Sequence, residues 1–170
     1  MKTPSPYFFL LFAFWITCCS STDNSTDPKI NISTKEESLQ ETTDGVASVV
    51  EVSVSGEENQ YSFSVTISSP DLGCQQYADW WEIINLEGNL LHRRIFSHSH
   101  VDEQPFTRLG DRFNLAANEE VYVRAHMNTT GYGNNVFKGS VADGFSSSQL
   151  DSDFAQNLEE AEPLPSNCSF

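Results

Sequence analysis

A strict two-residue alternation at residues 61–68 constrains the fold of this chain more than any other feature. Large apolar side chains occupy the odd positions from 61 to 67, and Ser or Thr occupies every even position. Because successive side chains of a β-strand point to opposite faces, this pattern predicts a strand with one buried and one solvated face. Val46, Val50, Val52 and Val54 share one face of a preceding strand, and residues 56–59 join the two strands as a hairpin.

Further strands are predicted along the chain. Residues 77–86 are apolar on both faces, which indicates a central strand covered on both sides. Residues 90–97, 120–127 and 136–142 follow as strands, with a short one at residues 112–115. Turns separate them at the spacing typical of a sandwich. We therefore predict an all-β fold for residues 46–145, an antiparallel β-sandwich of about seven strands.

The later strands carry a resemblance to a known fold family. The stretch LAANEEVYVRAHMNTTGYG, which begins at Leu115, is similar to the late strands of fibronectin type III domains, where a Leu precedes a Tyr-x-Val-Arg strand. The spacing from Leu115 to Tyr122 is one residue longer here. The resemblance implies an immunoglobulin-like or fibronectin-like sandwich rather than membership of the fibronectin family.

The N-terminus has the pattern of an export signal. Lys2 precedes an apolar stretch at residues 7–16, which is too short to span a bilayer. The stretch ends in Ile16-Thr17-Cys18-Cys19, which resembles the lipobox of bacterial lipoprotein precursors. That resemblance implies that residues 1–19 are a signal peptide and that Cys19, or Cys18, carries a lipid. The implied location is the bacterial cell envelope, with the protein lipid-anchored on the periplasmic or surface face of the outer membrane.

An ordinary cleaved signal and a secreted protein form the alternative. Asn-x-Ser/Thr sequons at Asn24, Asn31, Asn128 and Asn167 would then be glycan acceptors. Residues 20–45 are rich in Ser, Thr, Asn and charged residues, which predicts a disordered tether. The formal net charge of the chain is -15 at pH 7. Such a surface repels phosphate backbones, so we expect no nucleic-acid partner.

Residues 146–170 form a distinct tail. Leu150, Phe154 and Leu158 recur every four residues, which predicts one short amphipathic C-terminal helix. If Cys18 and Cys19 belong to the signal, Cys74 and Cys168 are the remaining thiols. An exported chain with two cysteines favours one disulfide, which would dock the tail beside the central strand. Two free thiols or a metal–thiolate pair are the alternatives.

A histidine cluster is the candidate metal site. His98 and His100 are two residues apart on an extended chain, so their rings point to the same side. Asp102 or Glu103 would add an oxygen ligand and His126 a third nitrogen, which favours copper or zinc. The alternative is a polar network in which these groups pair with neighbouring arginines and hold a long loop.

The same cluster is similar to the His-x-His-x-Asp-His motif of metallo-β-lactamase-like hydrolases. Glu103 stands where that motif has its last His, and the chain lacks the family's length, helices and downstream ligands. We therefore reject that fold and keep only the ligand geometry. A metal-dependent hydrolase is the third hypothesis, after a binding module and a metal-binding protein.

Aromatic residues supply the candidate ligand contacts. Trp80, Trp81 and Tyr132, with Arg124, would form a platform for an unknown protein or carbohydrate ligand. No nucleophile motif is present, so we predict a membrane-tethered binding or interaction module without catalysis. The combination YADWWE…RRIFSHSHVDEQPF…VYVRAHMNTTGYG resembles an uncharacterised family of small exported bacterial proteins, over residues 46–170. The stretch VYVRAHMN…GYGNNVFKGSV is also similar to the CHRD domain. Neither resemblance implies an activity.

Overall fold

Residues 45–169 are described by a computed structural model, in which nine strands form two antiparallel sheets. The strands are β1 Ser48–Glu57, β2 Gln60–Ser68, β3 Ala78–Asn85, β4 Leu90–Ile95, β5 Phe106–Leu109, β6 Val121–Met127, β7 Gly131–Tyr132, β8 Asn135–Ser140 and β9 Gly144–Gln149. A 3-10 helix, Gln156–Glu160, follows them. The predicted all-β sandwich is confirmed, with nine strands in place of about seven.

The small sheet has the strand order β1-β2-β5, and the large sheet has the order β4-β3-β6-β8-β9, with β7 paired to β6. The core lies between them. Phe63, Val65 and Ile67 of β2 face Trp81 and Ile83 of β3, and all five are fully buried. The alternation at residues 61–68 therefore places the apolar side chains inward, as predicted.

The first strand departs from its predicted phase. A bulge between Val49 and Glu51 shifts the register of β1 against β2. Val49 is consequently buried, and Val52 and Val54 pack against the core, whereas Val50 is exposed. A β-bulge inserts one extra residue, so side chains on either side of it no longer share the simple period of two. The prediction that Val50 shares the face of Val52 is wrong for this reason.

The central strand is covered on both sides, as its sequence indicates. Trp81 and Ile83 belong to the core between the sheets, and Trp80 and Glu82 lie on the outer face of the large sheet, away from the small sheet. These outer side chains are also buried, because C-terminal residues pass over them. Residues 112–115, predicted as a strand, form only an isolated bridge between Phe113 and Tyr61.

A short C-terminal helix is present, as predicted, but it is the 3-10 helix and not an amphipathic helix through Leu150, Phe154 and Leu158. Residues 144–149 pair with β8 as an edge strand, so the large sheet extends past residue 145. Ala155 has φ 51, a left-handed conformation that a right-handed helix cannot continue through. Only the 3-10 helix remains, and it buries Leu158. We call residues 150–169 the C-terminal strap.

A disulfide joins Cys74 to Cys168, with 5.6 Å between the Cα atoms, which confirms the predicted pairing. It fixes the end of the C-terminal strap to the loop between β2 and β3. In residues 45–169, no helix is long and apolar enough to cross a membrane. The predicted signal peptide, its Cys18 and Cys19, and the predicted tether up to residue 44 lie outside the described residues.

Candidate functional site

A buried carboxylate on the central strand organises the outer face of the large sheet. Glu82 of β3 lies directly opposite Arg93 of β4 and Arg124 of β6 in the strand register. Arg93 donates from Nε and Nη2 to Glu82 Oε2, at 2.8 and 2.6 Å. Arg124 donates from Nε to Glu82 Oε1 at 2.8 Å. All three side chains are buried, and we call them the Arg–Glu–Arg cluster.

The remaining guanidinium N–H groups bind the main chain of the C-terminal strap. Arg93 donates to the carbonyl oxygens of Leu158, Ala161 and Pro163, at 2.7, 2.6 and 3.0 Å. Arg124 donates to those of Phe154 and Ala155, at 2.6 and 3.2 Å. A guanidinium group carries five N–H donors in a planar fork, so it can satisfy a carboxylate and several carbonyls at once. The outer face therefore holds a polypeptide segment by its backbone.

Aromatic rings line the same face. Trp80 stacks on His126 with 3.7 Å between ring centroids, and Arg93 lies 4.4 Å from the centroid of the Trp80 ring. Arg124 lies 3.4 Å from the centroid of the Tyr132 ring. These contacts have cation–π geometry and fix both guanidinium planes. Burial raises the pKa of Tyr132, and the negative charge of Glu82 adds to the rise.

One polar group beneath the strap has no hydrogen-bond partner among the described residues. It is the indole Nε1 of Trp80, a residue that is almost fully buried. Buried polar atoms are nearly always hydrogen-bonded in native structures, and leaving one unpaired costs about 1–3 kcal/mol. The strap therefore leaves part of the hydrogen-bonding capacity of this face unused.

His126 is engaged by two carboxylates. Its Nδ1 lies 2.6 Å from Asp79 Oδ1, and its Nε2 lies 3.7 Å from Glu159 Oε1 of the strap. Burial raises the pKa of Asp79, and the hydrogen bond with His126 opposes that rise. His126 thus belongs to the outer face of the large sheet, with its ring held between Trp80 and Tyr132.

His98 and His100 do come together, as their spacing predicts, with 4.5 Å between ring centroids. His100 is buried and stacks on Phe106 at 3.8 Å, and neither of its ring nitrogens has a hydrogen-bond partner among the described residues. Asp71 anchors this loop, because its carboxylate accepts from the His100 backbone N–H at 2.7 Å and from the Ser99 hydroxyl at 3.1 Å.

The predicted metal ligands are only partly brought together. Asp102 is exposed in the same loop as His98 and His100, whereas His126 pairs with Asp79. Across residues 45–169, no group of three or more His, Cys, Asp or Glu side chains is arranged to hold a metal ion. Glu103 pairs instead with Arg108 at 2.8 Å. A copper or zinc site at this loop stays a prediction.

The buried His100 ring predicts a pH-dependent stability. Burial lowers the pKa of His100 to about 4, and the positive charge of Arg108 adds to the shift. An unfolded His titrates near 6.5, so the folded-state pKa is the lower of the two. The stabilisation from the neutral ring is therefore complete above about pH 6.5 and is lost as the pH falls towards 4. We expect the free energy of unfolding to fall across this window.

Urea unfolding at a series of pH values, with a chelator present, measures this dependence. The variant His100→Phe should flatten the curve below pH 6.5, apart from a remaining slope due to His92, whose pKa burial also lowers. His98→Gln is the matched control, because the His98 ring is exposed. An unchanged slope in His100→Phe would contradict the assignment.

The predicted ligand-contact residues are all buried. Trp81 lies in the core, and Trp80, Tyr132 and Arg124 lie beneath the strap, each less than 4% exposed. The described residues therefore do not form an exposed aromatic platform. Glu82 and Arg93 were not among the predicted ligand contacts. The available signal was a pair of acidic residues, Asp79 and Glu82, inside a strand that is largely apolar on both faces.

A protein of Halomicrobium mukohataei named "Putative lipoprotein" is 40% identical over 88 residues, which cover 51% of this chain and 43% of that protein. The chain thus spans less than half the length of this relative. No family model matches the chain, and no solved structure matches it.

Proposed function

We propose that this chain is a lipid-anchored binding module of the cell envelope. One observation carries the binding role: the Arg–Glu–Arg cluster holds the turn, the 3-10 helix and the following bend of the C-terminal strap by their carbonyl groups. Main-chain hydrogen bonds are one means by which folded domains capture peptide segments. The proposed ligand is a protein segment, in preference to a carbohydrate.

The strand order supports an immunoglobulin-like sandwich as the scaffold. In that fold the first, second and fifth strands share one sheet, and the third strand lies beside the last two in the other. Here β1, β2 and β5 are neighbours, and β3, β6 and β8 follow one another in the large sheet. β4 lies beside β3, and β9 is an additional edge strand. Such sandwiches are widespread in cell-surface domains.

A site-specific crosslinker tests the binding role. A photoreactive residue at Asn157, which is exposed on the strap, should yield a discrete adduct with another protein in intact cells. The same residue at Ser55, which is exposed on β1 of the other sheet, is the matched control and should yield none. Adducts of equal size and yield from both positions, or from neither, would contradict a binding site at the outer face.

The lipobox-like sequence and the name of the relative support the lipid anchor. We expect the full chain, made in a bacterial host, to take up a labelled fatty acid and to fractionate with membranes, because an acylated cysteine partitions into lipid. Cys19→Ser should abolish both properties, and Cys18→Ser should leave them intact. If Cys19→Ser retains the label and Cys18→Ser loses it, Cys18 is the residue that carries the lipid. An unlabelled full chain would contradict the anchor and favour the secreted alternative.

Metal binding is a second candidate function, favoured by the adjacent His98 and His100 rings and by the unpartnered nitrogens of His100. Two imidazoles on one loop supply copper or zinc with nitrogen ligands. We expect about one metal ion per chain, lost in the double variant His98→Ala/His100→Ala. His92→Ala is the matched control, and inductively coupled plasma mass spectrometry is the measurement. Equal metal content in all three proteins would exclude this site, and with it the metal-dependent hydrolase.

A further inference from the structure

The C-terminal strap is bound chiefly through its backbone. Five of its carbonyl oxygens accept from Arg93 and Arg124, and Leu158 is its one buried hydrophobic residue. Gln156, Asn157 and Glu160 of the same stretch point to solvent. Recognition of carbonyl groups carries little sequence information, so another segment that adopts the same turn and 3-10 conformation and has one apolar anchor satisfies the same donors.

The outer face has a donor that the strap does not use. The indole N–H of Trp80 is buried beneath the strap without a hydrogen-bond partner among the described residues. A segment that places an acceptor over this group gains a hydrogen bond that the strap lacks. The strap therefore does not satisfy all the hydrogen-bonding capacity of the face that it covers.

One covalent bond holds the far end of the strap. The Cys74–Cys168 disulfide is only partly buried, so it is accessible to a reductant. Beside it, the backbone N–H of Ser169 donates to the Ser97 carbonyl at 2.6 Å. The peptide chain ties the near end of the strap to β9 and the disulfide ties its far end, so the strap is an intramolecular competitor at an effective concentration of about millimolar. Reduction removes the second of these two tethers.

We propose that the strap is an autoinhibitory segment, and that a segment of a partner protein in the same turn and 3-10 conformation replaces it on the Arg–Glu–Arg cluster once the disulfide is reduced. This inference rests on the proposed binding role. The reductant is a dithiol: Cys74 and Cys168 take up two electrons and two protons to become thiols, and the dithiol becomes a disulfide. The partner segment binds by its carbonyl groups and places an apolar side chain where Leu158 lies.

The test uses the full chain with a protease site inserted after Leu150. Cleavage leaves residues 151–170 covalently attached through the disulfide alone, and a reductant then frees them. The probe is a fluorescent synthetic peptide of residues 151–169 that carries Cys168→Ser. We expect no binding to the uncut oxidised chain. The cut and reduced chain should bind at least roughly tenfold more tightly than the cut, oxidised chain, because the tethered competitor is gone.

Peptide and protein variants separate backbone recognition from charge. A peptide with Glu159, Glu160 and Glu162 replaced by Gln should bind nearly as well, whereas a scrambled peptide should not bind. Arg124→Lys keeps the charge but loses the planar fork, so it should weaken binding. Arg108→Lys is the matched control, because Arg108 lies outside the cluster and pairs with Glu103, and it should leave binding unchanged.

Several results would overturn the inference. If the cut and reduced chain loses its near-ultraviolet circular dichroism, the strap is an integral part of the fold. If the cut segment stays bound and never exchanges with the labelled peptide, it is a permanent part of the sheet's covering. Binding of the scrambled peptide would show a nonspecific surface. If Asn157 crosslinks to a partner but the labelled peptide never exchanges with the strap, the binding role stands. Only the autoinhibitory role of the strap is then contradicted.

Discussion

Replacing Glu82 by Gln is expected to lower the free energy of unfolding by about 3–5 kcal/mol. Glu82 is fully buried between Arg93 and Arg124, so the variant leaves two guanidinium charges in the interior without a countercharge. Removing one partner of a buried ion pair is far more costly than removing an exposed one, because solvent cannot replace it. Urea unfolding followed by tryptophan fluorescence measures the loss, with Trp80 and Trp81 as probes next to the cluster.

Glu103→Gln is the matched control, because it makes the same chemical change in an exposed pair with Arg108 and should alter stability little. A second variant separates charge from packing. The triple replacement Glu82→Met, Arg93→Met and Arg124→Leu removes all three charges and should recover much of the lost stability. It should still weaken the binding of the strap, because the guanidinium donors to the strap carbonyl groups are gone. Equal effects of Glu82→Gln and Glu103→Gln would contradict the burial of the cluster.

Removing the disulfide is the second change with a large expected effect. In the chain-entropy account, a bond that closes a loop of this length stabilises a domain by about 4.7 kcal/mol, and the two cysteines are 94 residues apart. We expect the double variant Cys74→Ser/Cys168→Ser to lose about that much free energy of unfolding in urea. The strap amides should also exchange faster with deuterium, because the segment then stays bound by hydrogen bonds alone.

Reductant provides the matched control for this variant. Dithiothreitol should lower the stability of the natural chain to that of the double variant and should leave the double variant unchanged. If the natural chain keeps its full stability after complete reduction, the disulfide contributes nothing to the fold. The C-terminal strap would then be held by the Arg–Glu–Arg cluster alone.

Much of the scaffold follows from local sequence patterns. The alternation at residues 61–68 determines which side of β2 is buried, since the period of two is a property of the strand itself. The apolar character of residues 77–86 on both faces identifies β3 as a covered strand. Counting the thiols outside the signal indicates the pairing of Cys74 with Cys168. Each inference needs only neighbouring residues or a count.

Two features could be recognised only from the tertiary structure. They are the bulge in β1 and the absence of an amphipathic helix through Leu150, Phe154 and Leu158. The bulge between Val49 and Glu51 depends on how β1 meets β2, and it turns Val50 outward. The spacing of Leu150, Phe154 and Leu158 fits a helix, but pairing of residues 144–149 with β8 and the left-handed Ala155 exclude one. Local propensity and periodicity predict secondary structure poorly where the same residues can pair with a strand from elsewhere in the chain.

The candidate site, too, could be predicted from the sequence only in part. The sequence by itself determined that His98 and His100 are neighbours, that the chain carries a lipobox-like cysteine and that Trp80 lies on a central strand. Only the tertiary structure decided that Glu82 meets two arginines, that His126 pairs with Asp79 and that the strap covers them. Those contacts join residues up to 70 positions apart in the chain. Their partners are set by strand register and by the path of the chain, which no local pattern encodes.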